Sequence, residues 1–260
     1  MLSKLLICGL VAGFCAGLLA TGFAELAGEP AVDRAIAYED AKDAAAMPAG
    51  HHEAAAAAPV SRGVQKSAGL LTASVVYGLS LGGLFALVFA FAYGRVARAR
   101  PQVTAYWLAA AAFVVIYLVP FSKYPASPPG ATDLDTIGRR TALYVTMIAI
   151  SLLAAVAAGR LRPALVQRFG TVAANVGAGV FYLVVVVAAG VALPSIREIP
   201  GDFPATALWA FREASIGMQA VIWLTIGLVF APLAQRAMSG QPIVPWRSAR
   251  RERVDAHGAV

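Results

Sequence analysis

Residues Leu5–Ala24 read LLICGLVAGFCAGLLATGFA, a stretch of 20 residues without a single charge. A helix needs about 20 apolar residues to cross ~30 Å of hydrocarbon, so the stretch predicts a membrane span. Gly9, Gly13 and Gly17 recur in it every four residues. Small residues at that spacing let a second helix approach closely, which marks a packing face. The stretch also follows Lys4 and ends near a weak cleavage-like pattern, as a secretory leader would. Its length and glycine face favour a retained helix.

Five further charge-free runs lie beyond it, at Ser67–Gly94, Pro101–Ser122, Thr141–Gly159, Phe169–Ile196 and Ala214–Gln235. The expectation is an all-α polytopic membrane bundle with six transmembrane helices, or five if the first is removed. The whole composition agrees. Of 260 residues, 59% are hydrophobic and 13% charged, and mean hydropathy is +0.71. Soluble domains run near 45–50% apolar and about 25% charged, and disordered chains are poorer still in apolar residues.

The net charge of +7 sorts by side. Lys4, the three Arg of 95–100, the three of 160–168 and the five from Arg236 onward fall on one side, with only Glu252 and Asp255. The remaining Lys and Arg share the other side with 12 acidic residues. Basic loops stay cytoplasmic, so both termini are expected inside (N-in/C-in) in a multi-pass protein of the cell membrane. The basic excess is thereby a topology signal, and no nucleic acid partner is called for. Residues 1–238 form the bundle, with a long outer loop at 25–66, and 239–260 form a flexible basic cytoplasmic tail in which Trp246 is an interface anchor. Trp209 and Trp223 suit an interfacial belt.

The six runs contain no His, Lys, Arg, Asp or Glu. Haem b needs axial His, a di-iron centre needs Glu and His, and intramembrane proteolysis by serine or metal also needs His. No phosphate-cradling Gly-x-x-x-x-Gly-Lys-Ser/Thr loop occurs. An enzyme is therefore not expected, and no permanently bound cofactor. Cys8 and Cys15 share one helix face as small packing residues.

Three outer constellations remain. Glu39, Asp40 and Asp43 precede His51, His52 and Glu53, a mixture of carboxylate and imidazole that suits first-row divalent metals; the plain alternative is a solvated acidic loop. Pro120 to Gly130 form a stiff proline-rich turn with Lys123, Arg139 and Arg140 at its rim, read as loop structure with snorkelling anchors. Arg212 and Glu213 stand at the mouth of the last run, with Gln219 inside it and Asn175 inside the fifth. Together with Glu25 these are candidates for a translocation path; interhelical hydrogen bonds are the alternative for the two amides. Backbone carbonyls at broken helices around Gly78, Gly82, Gly177 and Gly179 could serve a cation as well.

The ordered set of segments resembles the CbtA family of cobalt transporter subunits. It comprises the Gly-rich first helix, Gly28-Glu29-Pro30 to Ile36 with Glu39, and His51-His52-Glu53 before Ser61-Arg62-Gly63. Leu70-Leu71-Thr72, Pro128-Pro129-Gly130 with Arg139-Arg140, and Phe203-Pro204 to Trp209, Phe211, Arg212 and Ser215 complete it. The likeness covers most of 1–235. It implies Co²⁺ as the transported ion, a link to cobalamin synthesis, and a short single-helix, His-rich partner of the CbtB kind; self-association is left open. The family is described with five spans where six are counted here, and members carry a longer His cluster. The other reading of the residues is a non-transporting accessory or assembly protein that binds another membrane complex.

Overall fold

The computed structural model describes residues 1–46, 61–95, 100–129, 131, 134–196 and 199–241. The regular structure among them is helical. Helix α1 (Leu2–Phe23) runs through a π-helical turn (Ala24–Gly28) into α2 (Glu29–Ala46). Ser61 accepts the Val64 N–H and so caps a short turn that leads through a second π-turn (Gln65–Gly69) into α3 (Leu70–Ala92). Helix α4 (Pro101–Ala112) continues through a third π-turn (Phe113–Leu118) into α5 (Val119–Lys123). Helices α6 (Ile137–Ala192) and α7 (Ala205–Met238) follow. Among the described residues five helical stretches are long and apolar enough to cross a membrane.

The fourth of these, α6, holds two of the six charge-free runs. Its 56 residues would extend ~84 Å if straight, far more than a bilayer needs. It is not straight. Gly170 adopts φ 80°, ψ 171°, a conformation open to glycine because it lacks a Cβ. Side chains from the two arms then meet. The Tyr182 hydroxyl lies 2.8 Å from Ser151 Oγ, and Arg162 Nε donates to Asn175 Oδ1 at 2.7 Å. Met147, Ala154 and Val186 are packed together and buried. Element α6 is therefore a helical hairpin.

The chain divides into two compact units. The described residues of the first come from Met1–Thr21, Leu71–Ala110 and Val221 onward. Here α1 and α3 run antiparallel, with Gly9 against Gly82, Gly13 against Gly78 and Gly17 against Ser74 and Val75. A Cβ added at Gly13 would sit 2.2 Å from the Gly78 carbonyl oxygen, and one at Gly82 would sit 2.1 Å from that of Gly9. Backbone meets backbone, which side chains at these positions would forbid. The opposite face of α1 (Ile7, Leu10, Val11, Phe14, Leu18) is exposed, as suits acyl chains. Gly78 and Gly82 thus lie inside an unbroken helix, and Gly177 and Gly179 are helical too. The expectation of broken-helix cation sites at these four glycines is corrected, because their carbonyls are already committed to helix geometry.

In the same unit Phe230 packs edge-on against Phe85 and Phe89, each with ring centroids 5.0 Å apart. Trp223 lies on this inward face of α7 with Ile222 and Ile226 and is 6% exposed. It is a core residue, and its assignment to an interfacial belt does not hold; Trp209, 62% exposed, is free to take that place.

The second unit spans Gly22–Leu70 and Ala111–Ala220. Ala35 of α2 packs on Ala131, Phe203 and Ala207, with Tyr38 edge-on to Phe203 at 4.8 Å. Phe23 lies against Gly217, where a Cβ would meet its ring at 2.3 Å. The third π-turn has a visible consequence. Such a turn breaks the regular hydrogen-bond ladder, and Ser151, fully buried, donates its hydroxyl to the Val115 carbonyl at 2.7 Å. Ser151 has one proton, so Tyr182 must be the donor in their mutual contact. A backbone acceptor in apolar surroundings is thereby satisfied.

Candidate functional site

Helix α2 carries the acidic constellation. At about 100° per residue, Glu39, Asp40 and Asp43 fall on one side, and all three are exposed. The neighbouring stripe, Ala31, Ala35 and Tyr38, faces the second unit's interior. Toward the start of α2 the acids are neutralised. Arg62 bonds Glu29 at 2.6 Å and also reaches Asp33, and Lys66 pairs with Asp33. Two acids are thus spent on holding α2 to the lead-in of α3, while the three further along are not part of that lock. The Asp33 pairs, open to solvent, contribute little singly and more as part of a network with the part-buried Arg62–Glu29 pair.

A second contact holds α2 from the other side. Asp202 lies beside Tyr38, whose hydroxyl, together with Asp202's own backbone, holds that carboxyl below the ordinary aspartate value. A lowered folded pKa means the contact contributes stability above the unfolded value near 3.9 and loses it as pH falls through the lower folded value. The amides of α2 should therefore keep their hydrogen-exchange protection, corrected for intrinsic rates, from pH 8 down to about 4. They should lose part of it below. Asp202→Asn should shrink that acid transition and leave the part due to Asp33, whose carboxyl Lys66 and Arg62 also hold below the ordinary value; an unchanged transition would mean Asp202 has no share in it.

The structure also holds a cavity of about 660 Å³ in the second unit. Three separate segments bring Lys123, Arg140 and Arg212 to its wall. Lys123 Nζ donates to Ser195 Oγ at 3.0 Å, and Arg212 Nε donates to the Ala126 carbonyl at 3.4 Å. Tyr124 fixes the proline-rich turn through a 2.8 Å bond from its hydroxyl to the Pro194 carbonyl. Tyr117, Phe121, Tyr144 and Phe211 supply aromatic walls. Among the described residues no carboxylate lines the space.

The sequence-derived candidates fall apart into different surroundings. Arg212 lines the cavity, whereas Glu213, one residue on, is exposed and outside its lining. Glu25 is exposed in the first π-turn. Asn175 is bonded to Arg162 across the α6 hairpin, and Gln219 is half-buried in α7. None of Glu25, Glu213, Gln219 and Asn175 lines the cavity. His51, His52 and Glu53 lie outside the described residues. Among the described residues no three His, Cys, Asp or Glu side chains are grouped to hold a metal ion. In the sequence Lys123 and Arg140 read only as rim anchors; the cavity they share with Arg212, Tyr117 and Tyr144 leaves no local signal there.

No curated protein and no solved structure matches the chain. A family model does, that of CbtA, described as "Probable cobalt transporter subunit", over residues 2–235. That match spans all the helices described above except the last three residues of α7, so the chain, helical in the regular structure of its described residues and with several membrane-length apolar helices, belongs to the CbtA family of cobalt transporter subunits.

Proposed function

We propose that the chain is the membrane subunit of a Co²⁺ uptake system of the cell membrane that serves cobalamin synthesis. The observation that carries this reading is the family match over residues 2–235. In this proposal six spans cross the bilayer with both termini inside, the α6 hairpin contributing two. Glu39, Asp40 and Asp43, exposed on α2, concentrate the cation together with His51, His52 and Glu53. A borderline ion prefers imidazole and carboxylate together to oxygen ligands alone. A small single-helix partner of the CbtB kind adds further imidazoles. Glu25 and Glu213 pass the ion inward, with Arg212, Gln219 and Asn175 as the other polar groups near the path.

Topology is tested by labelling single cysteines from outside, in a chain whose Cys8 and Cys15 are replaced by Ala. A cysteine at Ala57 should react and one at Ala256 should not. Reaction at Ala256 alone would reverse the orientation; reaction at both would remove the even number of spans.

Capture is tested by calorimetry with Co²⁺ on the purified chain and on His51→Ala/His52→Ala. The double variant should lose at least tenfold in affinity. Imidazole ligates only when neutral, so wild-type affinity should fall as pH drops through about 6.5. Equal heats from the two proteins, or no pH dependence between about 5.5 and 7.5, would move the site elsewhere.

A further inference from the structure

The cavity walled by Lys123, Arg140 and Arg212 does not fit a bare divalent cation. Like charges repel it there, and low-dielectric aromatic walls screen that repulsion weakly. We propose that this cavity is an oxyanion site, taking a small organic anion whose carboxylate or phosphate meets the cationic groups and whose apolar body lies against Tyr117, Tyr144 and Phe211.

Three observations carry the assignment. Its volume, about 660 Å³, falls within the ~300–1,000 Å³ usual for small-molecule sites. Cations are gathered there from segments far apart in sequence, and among the described residues neither Lys123 nor Arg212 is paired with a carboxylate. Gathering positive charge in a partly buried space is costly unless a counter-charge completes it. The groups are also pre-set. Lys123 is held by Ser195 and lies over the Tyr124 ring. The Arg212 Nε bond to Ala126 fixes the guanidinium plane, and its terminal nitrogens suit the two oxygens of one anion. The site stands apart from the metal reading and does not depend on which ion is carried.

Two sources offer this chemistry: a soluble carboxylate and the phosphate of an anionic lipid. Citrate is titrated calorimetrically into the full chain in a nonionic detergent, and phosphatidylglycerol binding is read by native mass spectrometry. One equivalent of either probe should bind. Arg212→Gln and Lys123→Gln should each weaken binding at least tenfold, Arg212→Lys should weaken it less, and Arg160→Gln, outside the cavity, should leave it unchanged. Melting temperatures of all four variants identify any that fails to fold, and Lys123→Gln and Arg212→Lys then stand in for Arg212→Gln. Citrate alone identifies a soluble ligand; phosphatidylglycerol alone identifies a headgroup. Binding of neither probe, or binding insensitive to Arg212→Gln and Lys123→Gln, overturns the proposal, as does a Co²⁺ heat that disappears in both.

Discussion

Gly13→Leu is expected to remove nearly all folded protein from a detergent extract, while Gly22→Leu on the same helix leaves the yield close to wild type. The new Cβ at 13 would fall 2.2 Å from the Gly78 carbonyl oxygen and 3.1 Å from the Gly82 Cα. Both are backbone atoms, so no rotamer change relieves the clash and the helices must separate. Separation forfeits the contacts at Gly9 with Gly82 and Gly17 with Ser74 as well. Within lipid there is little hydrophobic force to hold helices together, so packing is a main source of association. Overpacking in a closed core costs ~1–3 kcal/mol per site, and a leucine across a backbone contact belongs at or beyond the upper end. At Gly22 an added Cβ would enter open space, with nothing within 4 Å. Monodisperse yield on size exclusion and the melting temperature report the difference. Equal values for the two variants would mean that the glycine contact does not hold α1 to α3.

The membrane class and most helix positions were legible because hydrophobic length is a local property. Each charge-free run reappears for most of its length as helix, with only Tyr93–Gly94 and Leu193–Ile196 falling beyond the helix ends. The glycine stripe was legible as a face, but its partner was not. Gly78 and Gly82 look the same in sequence whether a helix is broken or closely packed, and only the antiparallel register with α1 decides between these. The hairpin in α6 is marked by Arg160, Arg162 and Arg168 between two apolar runs, and Gly170 is where the backbone turns.

The candidate site was less legible, for a physical reason. Lys123, Arg140 and Arg212 come together through tertiary structure, and composition says nothing about which loops converge. A tryptophan poses a related problem. Trp209 precedes the last charge-free run and Trp223 lies inside it, and the orientation of α7 is what leaves one ring exposed and buries the other. Asn175 bonds Arg162 across the α6 hairpin, a pairing that nothing in its own run announces.

Uptake of radioactive cobalt should show the largest functional effect of all. Cells given this chain with the proposed single-helix partner should accumulate Co²⁺ severalfold faster than cells with that partner alone, since capture on the outside serves uptake only if the ion then crosses. Gly13→Leu provides a matched negative, because it removes the bundle without touching Glu39, Asp40, Asp43 or the histidines. Parallel uptake of Ni²⁺, Zn²⁺ and Mg²⁺ ranks the ions; a site of imidazole and carboxylate should favour the borderline ions over Mg²⁺, which prefers oxygen and sheds water reluctantly. The direct measurement is the initial rate of cobalt entry with and without the chain. A chain-dependent rate that Gly13→Leu abolishes is the predicted result, and equal rates in the presence and absence of the chain would contradict the transport reading in favour of an accessory role.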